Sequence, residues 1–275
     1  MKNIKTLFLL TLCMTCMSCQ KKAYDWKLGV QSYTFHLFSF AETLDKLNEL
    51  GVNNVEVYYG QKLGADFGEQ TMDFNMDEET QNRLSELVKF KNVKIMASGV
   101  VICNDEDEWN RLFAFADKMG INIITCEPKK EHLDIVETLA DKYKIDVAIH
   151  NHPQPSDYWH PDMVMQALEG RSQRMGVCAD VGHWKREGID PVKALKQVSG
   201  RLKSLHFKDV KQAEEGEAEQ HDVIWGTGIC NVDQMIALLK DVGFSGLMSI
   251  EYEYNWENSV PDIKQCIDYM NQTTN

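Results

Sequence analysis

Carboxylate and imidazole side chains mark three consecutive apolar runs in the second half of the chain. Asp180 ends the first run, His206 lies in the second, and Glu251 ends the third. Mixed oxygen and nitrogen donors of this kind suit Mn, Co, Ni, Mg, Zn or Fe as a divalent ion, and the residue types alone do not choose among these metals. We therefore predict that Asp180, His206 and Glu251 ligate one divalent metal ion.

Those three side chains need a scaffold in which the ends of separate strands meet. Short apolar runs rich in β-branched residues alternate with segments of helical periodicity, a pattern typical of parallel strands joined by crossover helices. The predicted strands are Leu28–Phe35, Asn54–Tyr59, Lys94–Val100, Asn122–Glu127, Asp146–His152, Met175–Asp180, Leu202–Lys208 and Leu247–Tyr252. The predicted helices are Phe40–Leu50, Thr80–Lys89, Glu106–Met119, His132–Tyr143, Pro161–Leu168, Pro191–Val198, Val232–Asp241 and Ser259–Met270.

Eight such units predict an α/β fold, a (β/α)8 TIM barrel in a single domain over residues 23–275. Barrel enzymes carry their active sites at the C-terminal ends of the strands, where the three candidate ligands lie. Alternate residues of a strand face the same side, so parity predicts a layer of small residues below these ligands. Its members are Cys178, Ser204 and Ser249. A doubly wound open sheet is the alternative, but the glycine-rich phosphate turn that it needs is missing.

Other ionisable side chains at the predicted strand ends are candidates for proton transfer. Glu127 ends strand four, and His150 and His152 end strand five. Together with Glu251 they are the inward groups able to take a proton from a carbon atom, and two of the four are expected to be occupied by the metal. We predict Glu127, His152 and Glu251 as catalytic residues.

Further residues are candidates for substrate binding. Lys208 is expected to bind a substrate oxygen or stabilise an enolate, or alternatively to pair with Asp209 at the surface. Glu56 is expected to bind substrate or to support the site from behind. An apolar floor for a sugar ring is expected from Trp184, Tyr33, Phe35 and Trp225.

The same segments carry a family resemblance that extends over nearly all of the chain after its leader. Asp180-Val181-Gly182-His183, Leu205-His206-Phe207-Lys208-Asp209 and Ser249-Ile250-Glu251 resemble the last three strands of the xylose-isomerase-like barrel superfamily of sugar isomerases and epimerases. The resemblance implies that Asp180, His206 and Glu251 are metal ligands and that His183 contacts the substrate. The superfamily usually takes a fourth ligand from a glutamate that ends strand five, where this chain has His150. Either His150 is the fourth ligand, or Glu127 supplies the missing carboxylate.

This combination of groups predicts proton abstraction next to the carbonyl of a keto-sugar. A divalent ion chelated by a ketone and its adjacent hydroxyl lowers the pKa of the intervening C–H. Protonating the resulting enediolate elsewhere gives isomerisation or epimerisation, and expelling a β-substituent gives elimination. Relatives in the superfamily include lyases that split 3-keto-glycosides, and such chemistry suits an exported protein. We therefore favour a 3-keto-glycoside lyase of the 3-keto-glucoside 1,2-lyase type over a ketose isomerase or epimerase.

Two further functions are open to the same fold. A carbohydrate-binding lipoprotein without catalysis is the alternative if the metal site is incomplete. A metal-dependent phosphodiesterase or endonuclease needs extra histidines on the early strands and a basic face, whereas the net charge is −13. The charge also argues against nucleic acid and anionic membrane surfaces as partners, which leaves a small carbohydrate. Homo-oligomerisation is left open.

The first 22 residues have the pattern of a signal peptide/lipoprotein region. Lysines precede a short apolar run that ends in small residues at Cys19, and the run is too short to be a permanent membrane span. We predict an exported protein, periplasmic or anchored to the outer membrane, whose contact with the membrane is a lipid on Cys19.

Overall fold

Eight parallel strands pair in sequence order, and the last strand pairs with the first to close a barrel. The computed structural model describes residues 25–212 and 220–274. The strands are β1 (Lys27–Gln31), β2 (Asn54–Val57), β3 (Lys94–Val101), β4 (Ile123–Cys126), β5 (Asp146–His150), β6 (Met175–Asp180), β7 (Leu202–Phe207) and β8 (Leu247–Ile250). The closed order confirms the predicted TIM barrel and excludes the open doubly wound sheet. The predicted leader and Cys19 lie outside the described residues.

Helices cover the outside of the barrel and return the chain to the start of each next strand. They are α1 (Phe40–Leu50), α2 (Glu78–Phe90), α3 (Glu106–Met119), α4 (Leu133–Tyr143), α5 (Pro161–Ala167), α6 (Val181–Arg186), α7 (Pro191–Val198), α8 (Val232–Asp241) and α9 (Val260–Thr274). Ser39 and Glu42 form a capping box at the start of α1, and Gly51 ends that helix in the left-handed conformation. None of the helices among the described residues is long and apolar enough to cross a membrane.

Two apolar layers fix the position of the strand ends. The outer layer packs fully buried helix side chains such as Leu44, Trp109 and Phe113 against the strands. A smaller cluster inside the barrel contains Ala148, Cys178 and Leu247 among its members. Each fully buried large apolar side chain stabilises the fold by roughly 1.5–3 kcal/mol relative to exposure. This cluster and small buried residues such as Ser204 fill the interior below the strand ends, and the candidate ligands lie at the C-terminal face.

Several strands are shorter than predicted because their last residues turn out of the sheet. The predicted first strand is wrong over Ser32–Phe35, which form a 3-10 helix instead. Side chains of this turn tie neighbouring strand ends together: Ser32 Oγ accepts the backbone N–H of Tyr58 at 3.1 Å, and Thr34 Oγ1 accepts that of Tyr252 at 3.1 Å. These bonds replace the sheet ladder and hold the loops of β1, β2 and β8 at the barrel mouth.

Candidate active site and metal centre

Side chains from the last four strands converge at the C-terminal face. Asp180 and His206 are direct neighbours across β6 and β7, as parity predicted, and Glu251 follows the end of β8. His206 Nδ1 lies 3.0 Å from Glu251 Oε2 and 3.9 Å from Asp180 Oδ2. His150 Nε2 lies 3.7 Å from the same Asp180 oxygen. Donor atoms of His150, Asp180 and His206 thus face one another, and Glu251 lies beside His206.

This donor set fits a divalent cation. Asp180 Oδ2 and His206 Nδ1 are buried and lie among charged or ionisable groups: Lys208 Nζ is 3.1 Å from Asp180 Oδ2, and Glu251 Oε2 is 3.0 Å from His206 Nδ1. Donor atoms of His150, Asp180 and His206 all lie within 4.8 Å of one another. Buried imidazole and carboxylate donors this close together form a set that one divalent ion can bind. Two imidazoles and two carboxylates match the mixed donor set of a borderline divalent metal.

Ionisation of the ligands follows from their neighbours. Burial alone would raise the pKa of Asp180, but His183, Lys208 and His150 hold that pKa well below its ordinary value. Burial alone would lower the pKa of His206, yet Cys178 and nearby carboxylates raise it well above its ordinary value. Burial alone would lower the pKa of His150, but contacts with Asp180 and Glu127 raise it above its ordinary value. The site is therefore an acidic pocket that attracts positive charge.

Glu127 uses both of its carboxylate oxygens within the protein. Oε1 lies 3.1 Å from His150 Nδ1 and 2.6 Å from His152 Nδ1, and it accepts the backbone N–H of His152 at 2.9 Å. Oε2 accepts the Ser156 hydroxyl at 2.8 Å. Burial alone would raise the pKa of Glu127, but these histidine contacts hold it far below its ordinary value. Of the two alternatives for the fourth ligand, the geometry favours His150, with Glu127 orienting its ring.

A cavity of about 320 Å³ opens beside these ligands. It is lined by Gln31, Tyr33, Tyr58, Tyr59, Gly99, Val100, His150, His152, His183, Glu251 and Glu253. The side chain of His152 is 47% exposed. His183 is largely buried, which lowers its pKa to about 3, and its Nδ1 has no hydrogen-bond partner among the described residues. At neutral pH the cavity therefore presents an uncharged His183.

Lys208 lies behind the ligands and is not among the residues that line the cavity. Its side chain is fully buried, with Nζ 3.1 Å from Asp180 Oδ2 and 2.8 Å from Glu251 Oε2, and it also pairs with Glu253. The alternative prediction, an exposed pair with Asp209, is wrong. Asp209 instead accepts backbone N–H groups from the loop before α8, including those of Gly226 and Gly228. Three carboxylates around one ammonium explain its burial, and they raise the pKa of Lys208 well above its ordinary value against the effect of burial.

Glu56 is also buried behind the site. Its side chain is 0% exposed, and Oε1 lies 3.1 Å from His206 Nε2 on the side of the ring away from the ligand cluster. Ser249 Oγ donates a hydrogen bond of 2.8 Å to Oε2. Of the two expectations for Glu56, support from behind agrees with this position, whereas direct substrate contact does not.

The predicted apolar floor is wrong for three of its four members. Trp184, Phe35 and Trp225 are almost completely buried in the hydrophobic core, and none of them lines the cavity. Only Tyr33 remains at the cavity wall. Parity and proximity in sequence do not show whether an aromatic ring turns toward the barrel mouth or packs beneath a helix, so the prediction failed for side chains in loops and in α6.

Asp222 is a site residue that the sequence did not single out. It is fully buried, pairs with Arg186, and accepts the backbone N–H of Glu253 at 2.8 Å. Burial raises the pKa of Asp222 to about 6, although Lys208 and Arg186 oppose this shift. Asp222 belongs to an acidic run, and nothing in the sequence distinguishes it from the other carboxylates of that run. It is buried in a pair with Arg186, which lies 36 positions away in the sequence.

The barrel and its ligand set place the chain among known proteins. Residues 44–273 match a family model described as xylose isomerase-like TIM barrel. The chain belongs to this family. The family assignment agrees with the resemblance seen in the three strand-end segments.

Individual proteins differ in how closely they match this chain. An inosose isomerase from Halalkalibacterium halodurans is 25% identical over 248 residues, which cover 78% of this chain and 86% of that protein. A crystal structure of an uncharacterised protein from Parabacteroides distasonis is 40% identical, with a TM-score of 0.74 and coverage of 90% and 99% of the two chains. A family member from Mycobacterium smegmatis in complex with magnesium is 14% identical, with a TM-score of 0.70 and coverage of 90% and 96%. The last likeness concerns the fold.

Proposed function

We propose that this protein is a divalent-metal-dependent enzyme that moves a proton next to the carbonyl of a keto-sugar, as sugar isomerases and epimerases do. The observation that carries the proposal is the position of an accessible imidazole, His152, on a buried carboxylate beside the clustered donor atoms of His150, Asp180 and His206. The isomerase among its relatives and the magnesium-bound family member support it.

Four side chains would hold the metal: His150, Asp180, His206 and Glu251. When bound, a divalent ion supplies a Lewis acid that stabilises negative charge developing on the carbonyl oxygen. Lys208 and Glu56 orient the ligands from behind, so the ligand atoms are pre-positioned. His183 adds a neutral nitrogen at the cavity wall that suits a hydroxyl of the sugar.

His152 is the candidate general base. Glu127 is ionised, so it accepts a hydrogen from Nδ1 of His152, which leaves the lone pair of Nε2 for a substrate proton. A buried carboxylate that fixes the tautomer also stabilises the imidazolium after the proton has moved. Glu251 also lines the cavity. It follows β8, three strands round the barrel from β5, and it offers a second position from which a proton is exchanged with the substrate.

β-Elimination from a 3-keto-glycoside begins with the same proton abstraction and is the second candidate outcome. The predicted export of the protein favours this elimination. We propose that the protein is a lipoprotein anchored at Cys19. The cavity lining contains no lysine or arginine among the described residues, so an uncharged sugar fits better than a sugar phosphate. In this outcome the imidazolium of His152 protonates the departing oxygen.

Exchange of hydrogen for deuterium tests the shared step. Purified protein loaded in turn with Mn, Co, Zn and Mg is incubated in D2O with 3-keto-glucose and its methyl glycoside, and the C–H signals beside the carbonyl are followed by NMR. We expect exchange with wild type, loss of exchange in Asp180→Ala together with loss of metal, and loss of exchange in His152→Ala with metal retained. His221→Ala, a histidine outside the cavity lining, is the matched control and should behave as wild type.

The products distinguish the candidate functions. Isomerisation or epimerisation gives a sugar of unchanged composition apart from the deuterium, whereas elimination releases methanol from the glycoside. Absence of exchange with every metal would overturn the enzyme proposal and favour a carbohydrate-binding lipoprotein.

A further inference from the structure

Four aromatic rings extend the cavity wall outward at the barrel mouth. Tyr33 and His36 are stacked, with ring centroids 4.8 Å apart. Tyr58 meets Tyr33 edge-on at 5.2 Å, and Trp256 meets Tyr33 and His36 edge-on at 5.9 and 4.3 Å. We name this group, Tyr33, His36, Tyr58 and Trp256, the aromatic platform. Tyr33 and Tyr58 belong both to the platform and to the cavity lining, so the two surfaces are continuous.

The platform is held in place by hydrogen bonds from beneath. The buried Gln31 side chain accepts the backbone N–H of Tyr33 at 3.2 Å and donates to the Gly99 carbonyl at 3.1 Å. Trp256 lies in a turn closed by a backbone bond of 2.8 Å from Asn258 to Asn255. Rings that are already ordered lose little conformational freedom when a ligand packs on them, which favours binding.

The platform is aromatic and partly open to solvent, since Tyr33 is exposed and the other three rings are partly buried. Tyr33 is 38% exposed, although large aromatic side chains usually bury most of their surface. The adjoining cavity contains no lysine or arginine among the described residues. Partly exposed aromatic rings beside a cavity are typical of a binding surface, and the absence of lysine and arginine from the described cavity lining favours a neutral ligand over a phosphate.

We propose that the aromatic platform binds the second ring of a neutral glycoside whose keto-sugar ring lies in the cavity beside the ligand set. The flat face of an aglycone, or the C–H face of a second sugar, packs on Tyr33 and Trp256. This inference rests on the proposed function because it takes the ring in the cavity to be a keto-sugar. It narrows the substrate class from free keto-sugars to glycosides.

Binding without turnover tests the proposal. Metal is removed by chelation, and the dissociation constants of 3-keto-glucose and of its α- and β-phenyl glycosides are measured by calorimetry. We expect one phenyl glycoside to bind about tenfold more tightly than the free sugar, since packing a ring on aromatic side chains contributes on that order. Trp256→Ala should abolish this difference and leave the affinity for 3-keto-glucose unchanged, because Trp256 does not line the cavity.

Phe90→Ala is the matched control, because Phe90 is 83% exposed on α2 and is not part of the platform. Equal affinity for glycoside and free sugar, absence of measurable binding by both glycosides, or an equal loss of affinity for both ligands in Trp256→Ala would overturn the proposal. Because the measurement needs no catalysis, tight glycoside binding without deuterium exchange would contradict the proposed function and leave the platform assignment standing.

Discussion

Glu56 Oε1 lies 3.1 Å from Nε2 of His206, and the opposite ring nitrogen of His206 lies 3.0 Å from Glu251 Oε2. The imidazole is thus held between a buried carboxylate on β2 and the ligand cluster. Burial alone would raise the pKa of Glu56, but the charge and contact of His206 lower it, so the carboxylate is ionised. An ionised Glu56 favours hydrogen on Nε2 and leaves the Nδ1 lone pair for a metal.

Removing this carboxylate should weaken metal binding without exposing the site. We expect Glu56→Ala to lower metal affinity about 10- to 100-fold, since loss of a carboxylate that orients a ligating histidine has effects of this size. Ser249→Ala, which removes one hydrogen bond to Glu56, should have a smaller effect. Competition with a chelating dye measures the affinity, with the surface variant Glu86→Ala as control. A folded Glu56→Ala protein of unchanged affinity would show that Glu56 does not orient His206.

Metal binding should depend on pH through His150 and His206. Burial alone would lower their pKa values, but neighbouring groups raise both, so protons compete with the metal more strongly than at an ordinary histidine. A protonated imidazole does not ligate, so the affinity should fall as pH decreases and rise as pH increases toward the raised pKa values. His183, with a pKa of about 3, should contribute no proton.

Calorimetry in buffers of different ionisation enthalpy counts the protons released. At about pH 6, below the ordinary histidine pKa, more than one proton should leave per metal ion. The number should decrease at higher pH. Release of no proton at the lower pH would mean that neither imidazole changes its protonation on binding.

The sequence predicted the part of the site that follows from strand parity. Asp180, His206 and Glu251 point to one place because alternate strand residues share a face and the eight strands close in order. In the layer predicted below them, Cys178, Ser204 and Ser249 are all buried; Cys178 pairs with Ser204, whereas Ser249 pairs with His206 and so lies level with a ligand. These features depend on local periodicity and a regular fold, so a single sequence contains the information.

Side chains whose position depends on distant partners were not predictable in the same way. Glu56 and Ser249 are 193 positions apart in sequence and meet only because β8 closes against β1 next to β2. Lys208 shares parity with His206, but its long side chain turns to the carboxylates of Asp180 and Glu251 instead of the cavity. Trp256 lies in a loop without periodicity, and its contacts with Tyr33 and His36 appear only in the folded chain.

Glu127 and His152 should act as a unit in proton transfer. We expect Glu127→Gln to lower the rate of deuterium exchange by about 10²- to 10⁴-fold, because the neutral amide no longer fixes the histidine tautomer or stabilises its imidazolium. Metal content should fall less than in Asp180→Ala, since Glu127 contacts only the far nitrogen of His150. The exchange rate and metal content are measured on the same samples, beside the exposed-carboxylate control Glu169→Gln. If Glu127→Gln and His152→Ala slowed exchange independently, so that the double variant multiplied both losses, the two residues would not form a dyad.

In the metal-free protein, Lys208 should supply the positive charge that a bound metal otherwise supplies. Its ammonium group lies within 3.1 Å of oxygens from both Asp180 and Glu251, so Lys208→Met leaves buried carboxylates without a counter-charge. Removing one partner of a buried ion pair costs about 3–5 kcal/mol of unfolding free energy. A bound divalent ion compensates the same carboxylates, so metal should raise the melting temperature of Lys208→Met more than that of wild type. Thermal unfolding with and without metal measures the difference, with the exposed variant Lys193→Met as control. An equal rise of the melting temperature in wild type and Lys208→Met would mean that the ammonium group and the metal compensate different charges.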